Sequence, residues 1–246
     1  MSYDRFSVNP ALNATALADQ FARDGRLHIA DFLEAECAAA LHSLLSKRTD
    51  WRYLVNSGDR TIELDRATRA AMSSAQRDAL DNAVYASARS GFQFRYETIR
   101  VPDDEASRRA SDDPLAAFAS WLSSGEPRAF LRTVTGAGDI DFADAQATAY
   151  GPGDFLTGHD DAVDGRNRRA AYVLGLNPIW RTEWGGLLVF HSDGKGWLRA
   201  LEPRFNTLNL FRVPQMHSVS EVTRAAAWRR YSITGWLRAT SSNPDS

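Results

Sequence analysis

Apolar positions in the first half of the chain recur mainly at the spacing of amphipathic helices. Apolar residues three and four positions apart, with polar residues between them, are typical of a helix with one buried face. After about Ile140 the pattern changes to short alternating runs bounded by turn residues, which is typical of strands. The first pattern predicts helices at 11–23, 33–47 and 74–89, and another that begins at Asp113, a capping residue followed by proline.

Strands are predicted in both halves of the chain, but most of them lie in the second. In the first half, "RLHIADF" and "GFQFRYETIRV" have the alternation and aromatic content of strands, and the second is more typical of a core strand than of a substrate surface. Six runs follow in the second half: "DFADAQATAY", "RRAAYVLGL", "GGLLVFH", "NTLNLFRV", "HSVSEV" and "RRYSITGWLR". They favour an α+β fold in which a β-sandwich or jelly roll has helices packed against its outside.

Composition and charge narrow the class of protein without indicating a substrate. The 246 residues carry a formal net charge of −2, which gives no reason to expect nucleic acid or a membrane surface as a partner. Cys37 is the one cysteine, so no intramolecular disulfide can form, and the N-terminal sequence lacks the basic and apolar regions of a signal peptide. We therefore expect a cytoplasmic protein with a single domain over residues 1–246.

The segment "YGPGDFLTGHDD" places a histidine and two aspartates after an apolar stretch. If this segment is a strand, His159 and Asp161 face the same side and Asp160 points away, as a surface carboxylate or as support for a ligand. His217 follows 56 positions after Asp161, at the start of a predicted strand. Two histidines and one carboxylate on one face of an octahedral ion are the arrangement of non-haem Fe(II) oxygenases. "HSD" at His191–Asp193 has the same spacing, but the glycines after it favour a hairpin turn.

A carboxylate-binding pair is predicted in the last strand, "RRYSITGWLR". Arg230 and Ser232 lie two positions apart and so share a face. A guanidinium with a hydroxyl beside it can bind a carboxylate through bidentate hydrogen bonds, which a lysine cannot form. A shift of one residue in register would turn Arg229 inward instead, but the Arg-Tyr-Ser order favours Arg230.

These segments together resemble the 2-oxoglutarate- and Fe(II)-dependent dioxygenases, and specifically their prolyl-4-hydroxylase-like branch. The resemblance covers about residues 130–238 and is carried, in order, by "FLRTVTG", "YGPGDFLTGHDD", "AYVLGLNPIW", "EWGGLLVF", "FNTLNLF", "VPQMHSVSEV" and "RRYSITGWLR". It implies a double-stranded β-helix, or jelly-roll, catalytic core over 130–240, supported by a helix-rich part over 1–129. By the same resemblance the iron ligands are His159, Asp161 and His217, the clamp on the distal carboxylate of 2-oxoglutarate is Arg230 with Ser232, and further co-substrate contacts are Tyr150 and Tyr172.

The resemblance also implies an activity, whose substrate the residues leave open. With Fe(II), O2 and 2-oxoglutarate, and with ascorbate as a candidate addition, such an enzyme hydroxylates an unactivated C–H bond and releases succinate. A prolyl residue in a protein or peptide is the first expectation, and a free amino acid or another small molecule is the alternative. A cupin-type isomerase would use similar metal ligands but would not need the Arg230 and Ser232 clamp. A catalytically silent jelly-roll binding module should lack at least one ligand, whereas all three are present.

Overall fold

Seven α-helices occur in the part of the chain that the structure, a computed structural model, describes: residues 6–192, 196 and 198–240. The four predicted helices are confirmed, with small shifts at their ends. The first begins at residue 14 and not 11, because the side chain of Asn13 accepts a hydrogen bond from the backbone N–H of Ala16. The helices are α1 (Ala14–Asp24), α2 (Ala35–Lys47), α3 (Arg66–Ala71), α4 (Ser74–Ala88), α5 (Glu105–Ala110), α6 (Pro114–Leu122) and α7 (Gly125–Thr135).

Thirteen strands are found in the same described residues, and every predicted strand segment contains at least one. They are β1 (Arg26–Ile29), β2 (Arg52–Ser57), β3 (Arg60–Asp65), β4 (Phe94–Arg100), β5 (Phe142–Ala143), β6 (Gln146–Tyr150), β7 (Phe155–His159), β8 (Arg168–Gly175), β9 (Leu188–His191), β10 (Leu198–Leu201), β11 (Thr207–Arg212), β12 (His217–Val219) and β13 (Arg230–Arg238). The hairpin of β2 and β3 was not predicted, because neither strand alternates: four consecutive residues of β2 are buried and β3 has no buried residue. The sequence signal for this hairpin was Gly58, which lies in the turn between the two strands and has φ +58°.

The strands form one antiparallel sheet that folds over on itself. Its order is β1-β11-β8-β13-β6-β4-β7-β12-β9-β10, with β2 and β3 branching from β4 and β5 pairing with β13. Strand β4 is the corner, because it pairs with β6 on one side and, through Phe94 and Arg95, with β7. We call the strands on either side of β4 in this order the two limbs of the sheet; the larger limb is β1, β11, β8, β13 and β6, and the other is β7, β12, β9 and β10. Strands from both limbs line one cavity, so the limbs face each other. This is the predicted α+β architecture, a jelly roll with helices outside it.

The helices cover the outer face of the larger limb. Alternate residues of β8, β11 and β13 point outward into one apolar core, which they share with α1, α2, α6 and α7. The intervening residues of the same strands point inward, towards the cavity. No helix in the described part of the chain is long and apolar enough to cross a membrane. The outward set includes Tyr172, Leu174, Leu208, Leu210, Ile233 and Leu237, packed on Phe21, Leu41, Leu45, Phe118 and Leu131.

Candidate active site

Three potential metal ligands meet where β7 ends and β12 begins. His159 is the last residue of β7 and lies directly across from His217, the first residue of β12. The carboxylate of Asp161 lies between them: its Oδ1 is 3.4 Å from His159 Nε2, and its Oδ2 is 3.5 Å from His217 Nε2. The ligand atoms of the three residues all lie within 4.8 Å of one another. The structure thus brings together the three residues that the sequence singled out.

Asp161 reaches His159 through a turn and not through the strand alternation that the sequence predicts. Strand β7 ends at His159, so Asp161 does not share a face with it through strand alternation. Asp161 instead has φ +64°, a left-handed conformation that aspartate tolerates better than most residues, and this turn brings its carboxylate back towards His159. Asp160 points elsewhere, as expected: its Oδ1 accepts a hydrogen bond of 3.0 Å from the backbone N–H of Ala162 and supports the turn.

Both histidine rings are oriented by backbone carbonyls. His159 Nδ1 lies 3.0 Å from the oxygen of Thr157, and His217 Nδ1 lies 2.7 Å from that of Gln215. Since a carbonyl can only accept, each Nδ1 carries the proton and each Nε2 presents its lone pair to the space beside Asp161. Burial, with the nearby His159, lowers the pKa of His217 to about 4. Burial alone raises the pKa of Asp161, but the two histidines outweigh it and leave that pKa below its ordinary value.

A cavity of about 430 Å³ adjoins the triad. Its wall includes Phe94 and Tyr96, so the aromatic strand "FQFRYETIRV" lines the cavity, which is the less favoured of the two interpretations of that strand. The loop after Asp161 forms part of the rim through Ala162 and Val163. Other lining residues, from both limbs of the sheet, include Gln146, Thr148, Tyr150, Leu156, Ala171, Val173, Leu188, Phe211, Val219, Arg230, Thr234 and Trp236.

Arg230 is a buried cation without an anionic partner. Its side chain lines the cavity, only 1% of the residue is exposed, and no hydrogen bond or ion pair to it occurs among the described residues. The guanidinium carbon lies 5.1 Å from the centre of the Tyr150 ring, and burial lowers the pKa of Arg230. Arg229 faces away and forms a 2.5 Å ion pair with Glu97, which supports Arg230 over Arg229 as the inward residue. An isolated buried charge is costly, so Arg230 favours an anionic ligand.

The other predicted co-substrate contacts have different surroundings. Ser232 shares the inward face with Arg230, and its hydroxyl is buried without a hydrogen-bond partner among the described residues. Tyr150 lines the cavity, stacks on Tyr96 at 5.0 Å, and makes no hydrogen bond through its hydroxyl in that part of the chain. Tyr172 also borders the cavity, but it is paired in register with Gly235 and belongs to the outer apolar core, where its hydroxyl donates to the oxygen of Asp144. The structure does not bring the Tyr172 hydroxyl to Arg230.

The second histidine motif does not join the triad among the described residues. Strands β9 and β10 form an antiparallel hairpin in which His191 pairs with Leu198, in agreement with the predicted turn. The side chain of His191 is exposed, and its Nε2 lies 2.8 Å from the hydroxyl oxygen of Ser218. Asp193, the other member of that motif, lies outside the described residues.

Two residues beside the triad were missed in the sequence. Trp236 lies on the inward face of β13, and alternation from Arg230 and Ser232 could have found it. Arg168 lies over its indole, with 3.5 Å between the guanidinium carbon and the ring centre, and donates a 2.7 Å hydrogen bond to the backbone oxygen of Asp161. Nothing in the local pattern of the sequence indicates this contact.

The donor set fits the cofactors that the resemblance implies. Two imidazole nitrogens and one carboxylate, converging from one side, match the facial set of non-haem Fe(II). The unpaired Arg230 and the unpartnered hydroxyl of Ser232 match a bound carboxylate, as 2-oxoglutarate would supply. Both groups can therefore be held by residues already in place.

Comparison with known proteins gives a family match for the second half of the chain. Residues 145–238, which contain the triad and the Arg230 region, match the sequence profile of the 2OG-Fe(II) oxygenase superfamily. This part of the chain is therefore similar to the 2OG-Fe(II) oxygenases, a family that uses Fe(II), 2-oxoglutarate and O2.

Individual relatives extend the likeness to prolyl hydroxylases. The chain is 33% identical over 131 residues to the prolyl 3-hydroxylase OGFOD1 of Xenopus laevis, over 50% of this chain and 23% of that protein. It thus spans only about a quarter of this curated relative. A prolyl-4-hydroxylase of Pseudomonas putida has the same fold, with a TM-score of 0.55 and 22% identity over 92% of this chain and 99% of that one. A Trichoplax adhaerens prolyl hydroxylase, solved with a peptide of hypoxia inducible factor, gives 0.56 and 16% over 92% and 89%.

Proposed function

We propose that this protein is an Fe(II)- and 2-oxoglutarate-dependent dioxygenase that hydroxylates a prolyl residue in a protein or peptide. The observation that carries the proposal is one cavity with two features: the His159, Asp161 and His217 donors within 4.8 Å of one another, and the buried, unpaired Arg230. A metal-binding isomerase would need only the first feature. A silent binding module would need neither.

Each residue has a defined part in the proposed reaction. His159, Asp161 and His217 would hold Fe(II), which supplies the activation of O2 when it is bound together with 2-oxoglutarate. Arg230 binds the distal carboxylate of 2-oxoglutarate, and the hydroxyls of Ser232 and Tyr150 add hydrogen bonds to it. Trp236 and the aromatic residues of β4 keep water away from the reacting C–H bond.

The rim of the cavity supports an apolar, extended substrate. Phe92 is 51% exposed and its ring centre lies 5.8 Å from that of His159, while Val163 on the facing loop is 50% exposed. Exposed apolar side chains beside a cavity suit the ring of proline and the chain that flanks it. The names of the Xenopus and Trichoplax relatives point to the same substrate class.

We also propose that the chain is organised as a single domain and that the protein is cytoplasmic. The second proposal rests on the lone cysteine.

The iron assignment is tested by metal content. His217→Ala should lose stoichiometric Fe(II) after anaerobic loading and desalting, because a facial site with two ligands binds weakly. His191→Ala is the matched control and should keep it, since His191 faces Ser218. Loss of iron from the His191 variant with retention in the His217 variant would overturn the assignment.

The substrate class is tested by product analysis. Iron-loaded protein is incubated with 2-oxoglutarate, O2 and either prolyl peptides, free amino acids or a metabolite extract, with and without ascorbate. We expect succinate in equal amount to hydroxyproline in the peptides, absent from an Asp161→Ala control, with the hydroxylated carbon read by NMR. A free metabolite that couples one-to-one to succinate, without proline oxidation, would replace the prolyl proposal by the small-molecule alternative.

A further inference from the structure

A second cavity, of about 210 Å³, lies next to the cavity beside the triad, at the opposite end of β13 from Arg230. Arg230 is the first residue of that strand and Arg238, in the wall of the second cavity, is the last. Five residues contribute to the walls of both cavities, so the two are adjacent: Gln146, Arg168, Thr234, Gly235 and Trp236. We call the second cavity the arginine annex, because four arginines line it: Arg100, Arg166, Arg168 and Arg238.

The annex carries more positive charge than its own carboxylates neutralise. Two aspartates line it, and Arg238 pairs with both, at 3.3 Å from Asp103 and 3.4 Å from Asp144. Asp144 is also occupied by the backbone N–H of Trp236. The three arginines that remain have no ion pair in the part of the chain that the structure describes.

Arg168 connects this surplus charge to the reacting centre. One of its terminal nitrogens donates to the backbone oxygen of Asp161, a residue of the triad, whereas its Nε is buried and has no partner among the described residues. Arg100 and Arg166 are exposed at the annex, so a ligand can reach them from solvent. An anion bound there would lie next to the triad but away from Arg230.

We propose that Arg100, Arg166 and Arg168 bind a carboxylate of the substrate, so that the enzyme selects acidic peptides. Guanidinium groups bind carboxylates through paired hydrogen bonds, and three of them line this cavity without a carboxylate partner among the described residues. The carboxylate is an Asp or Glu side chain, or the chain terminus, within a few residues of the oxidised proline. The inference rests on the proposed function only for the identity of the oxidised residue, proline. The binding of an acidic peptide by the three arginines does not depend on that function.

The test compares matched peptides and matched variants. Each peptide has one central proline and either Asp or Asn at one to three positions on either side, and one further pair differs only in a free or an amidated C-terminus. The full-length variant Arg100→Gln/Arg166→Gln removes annex charge. The control is Arg23→Gln, an exposed arginine of α1 that lines neither cavity. Binding is followed by fluorescence anisotropy of labelled peptide, and turnover by succinate and mass spectrometry.

We expect the best Asp peptide to bind the wild type about tenfold more tightly than its Asn partner, the size of one charge-assisted hydrogen bond at a partly exposed site. The double variant should lose this preference, with unchanged affinity for 2-oxoglutarate, whereas Arg23→Gln should keep it. The preference should weaken as salt rises. A preference for the free C-terminus alone identifies the terminal carboxylate as the ligand.

Equal binding of Asp and Asn peptides at every position, together with equal binding of the free and amidated peptides, would overturn the proposal. So would a preference that survives in the double variant. If acidic peptides bind in an arginine-dependent way but no proline is oxidised, carboxylate binding by the annex is supported and the prolyl function is contradicted. If proline is oxidised equally in all peptides, the prolyl function is supported and carboxylate binding by the annex is contradicted.

Discussion

Glu97 and Arg230 are buried charges on two strands that both pair with β6, and each is only 1% exposed. Glu97 is surrounded by cations: Arg66 Nη2 lies 2.8 Å and Arg229 Nη1 2.5 Å from its Oε2, and Arg69 Nη1 lies 3.6 Å from Oε1. Arg230 has no such partner in the described part of the chain and faces a cavity. One charge is neutralised by the protein and the other is left for a ligand.

The comparison separates a structural charge from a functional one. Taking a charge out of water costs several kcal/mol, so a folded chain retains a buried charge only if something offsets that cost. For Glu97 the offset is permanent, and its loss should affect folding. For Arg230 we propose that the offset comes from the co-substrate, so the loss of Arg230 should affect binding. Four substitutions, with a fifth as a matched control, can break or sharpen this distinction.

Glu97→Gln should produce the largest effect, on stability. Removing the anion leaves three arginines facing one another around a buried site, and breaking a buried ion pair costs about 3–5 kcal/mol. Urea denaturation followed by tryptophan fluorescence should show this loss in the free energy of unfolding. The folded fraction should bind 2-oxoglutarate with unchanged affinity. A variant as stable as the wild type would show that the Glu97 cluster adds nothing to folding.

Arg230→Ala should act on the co-substrate instead. Loss of one partner of a buried charge pair costs about 2–5 kcal/mol, or roughly 30-fold to several thousand-fold in affinity for 2-oxoglutarate. Iron content should stay intact, and the free energy of unfolding without co-substrate should not fall, because no protein partner is left behind. Calorimetric titration of metal-loaded protein measures the affinity. Unchanged affinity would remove Arg230 from the site.

The sequence predicted the parts of this site that local spacing determines. Arg230 and Ser232 were found because β13 is a regular strand, in which alternation assigns faces correctly. Asp161 was found by its spacing from His159 in the sequence, although β7 ends two residues before Asp161. The φ of +64° at Asp161 belongs to a turn, which strand alternation does not describe. The helices with clear caps were likewise predicted closely.

What the sequence could not predict depends on the meeting of distant segments. Arg100 and Arg168 come to the annex from β4 and β8, and only the folded sheet places them together. The aromatic strand was assigned to the core because periodicity shows that a face is apolar but not whether that face meets a helix or a cavity. Tyr172 was placed near the co-substrate by resemblance, whereas its register with Gly235 directs it to the outer core.

Asp154 is an intermediate case between Glu97 and Arg230. Its Oδ2 accepts the backbone N–H of Gly151, but Oδ1 is 3.8 Å from Arg95 Nε and has no hydrogen bond. Burial raises its pKa from 3.8 to about 6. The folded state therefore keeps a proton that the unfolded chain has lost, and the contribution of Asp154 to stability falls as the pH rises from about 4 through 6.

Asp154→Asn should remove this pH dependence. The free energy of unfolding of the wild type, minus that of the variant, should decrease by up to about 3 kcal/mol between pH 4 and pH 7. Parallel urea titrations at four pH values measure the difference. A difference that is constant with pH, or that increases, would show that the arginines around Asp154 hold it ionised throughout, as they do for a fully paired carboxylate.

Tyr150→Phe should have the smallest effect, and Tyr172→Phe is its matched control. Burial raises the pKa of Tyr150 well above its ordinary value, so its hydroxyl stays a neutral donor, and no described residue accepts from it. Losing that donor should raise the KM for 2-oxoglutarate about fivefold, since one hydrogen bond contributes about 1 kcal/mol, and should leave stability unchanged. Tyr172→Phe should do the reverse, lowering stability by about 1 kcal/mol through the lost bond to Asp144 at constant KM. A raised KM in the Tyr172 variant would return that residue to the co-substrate site and would show that position on the outer face does not exclude it from binding.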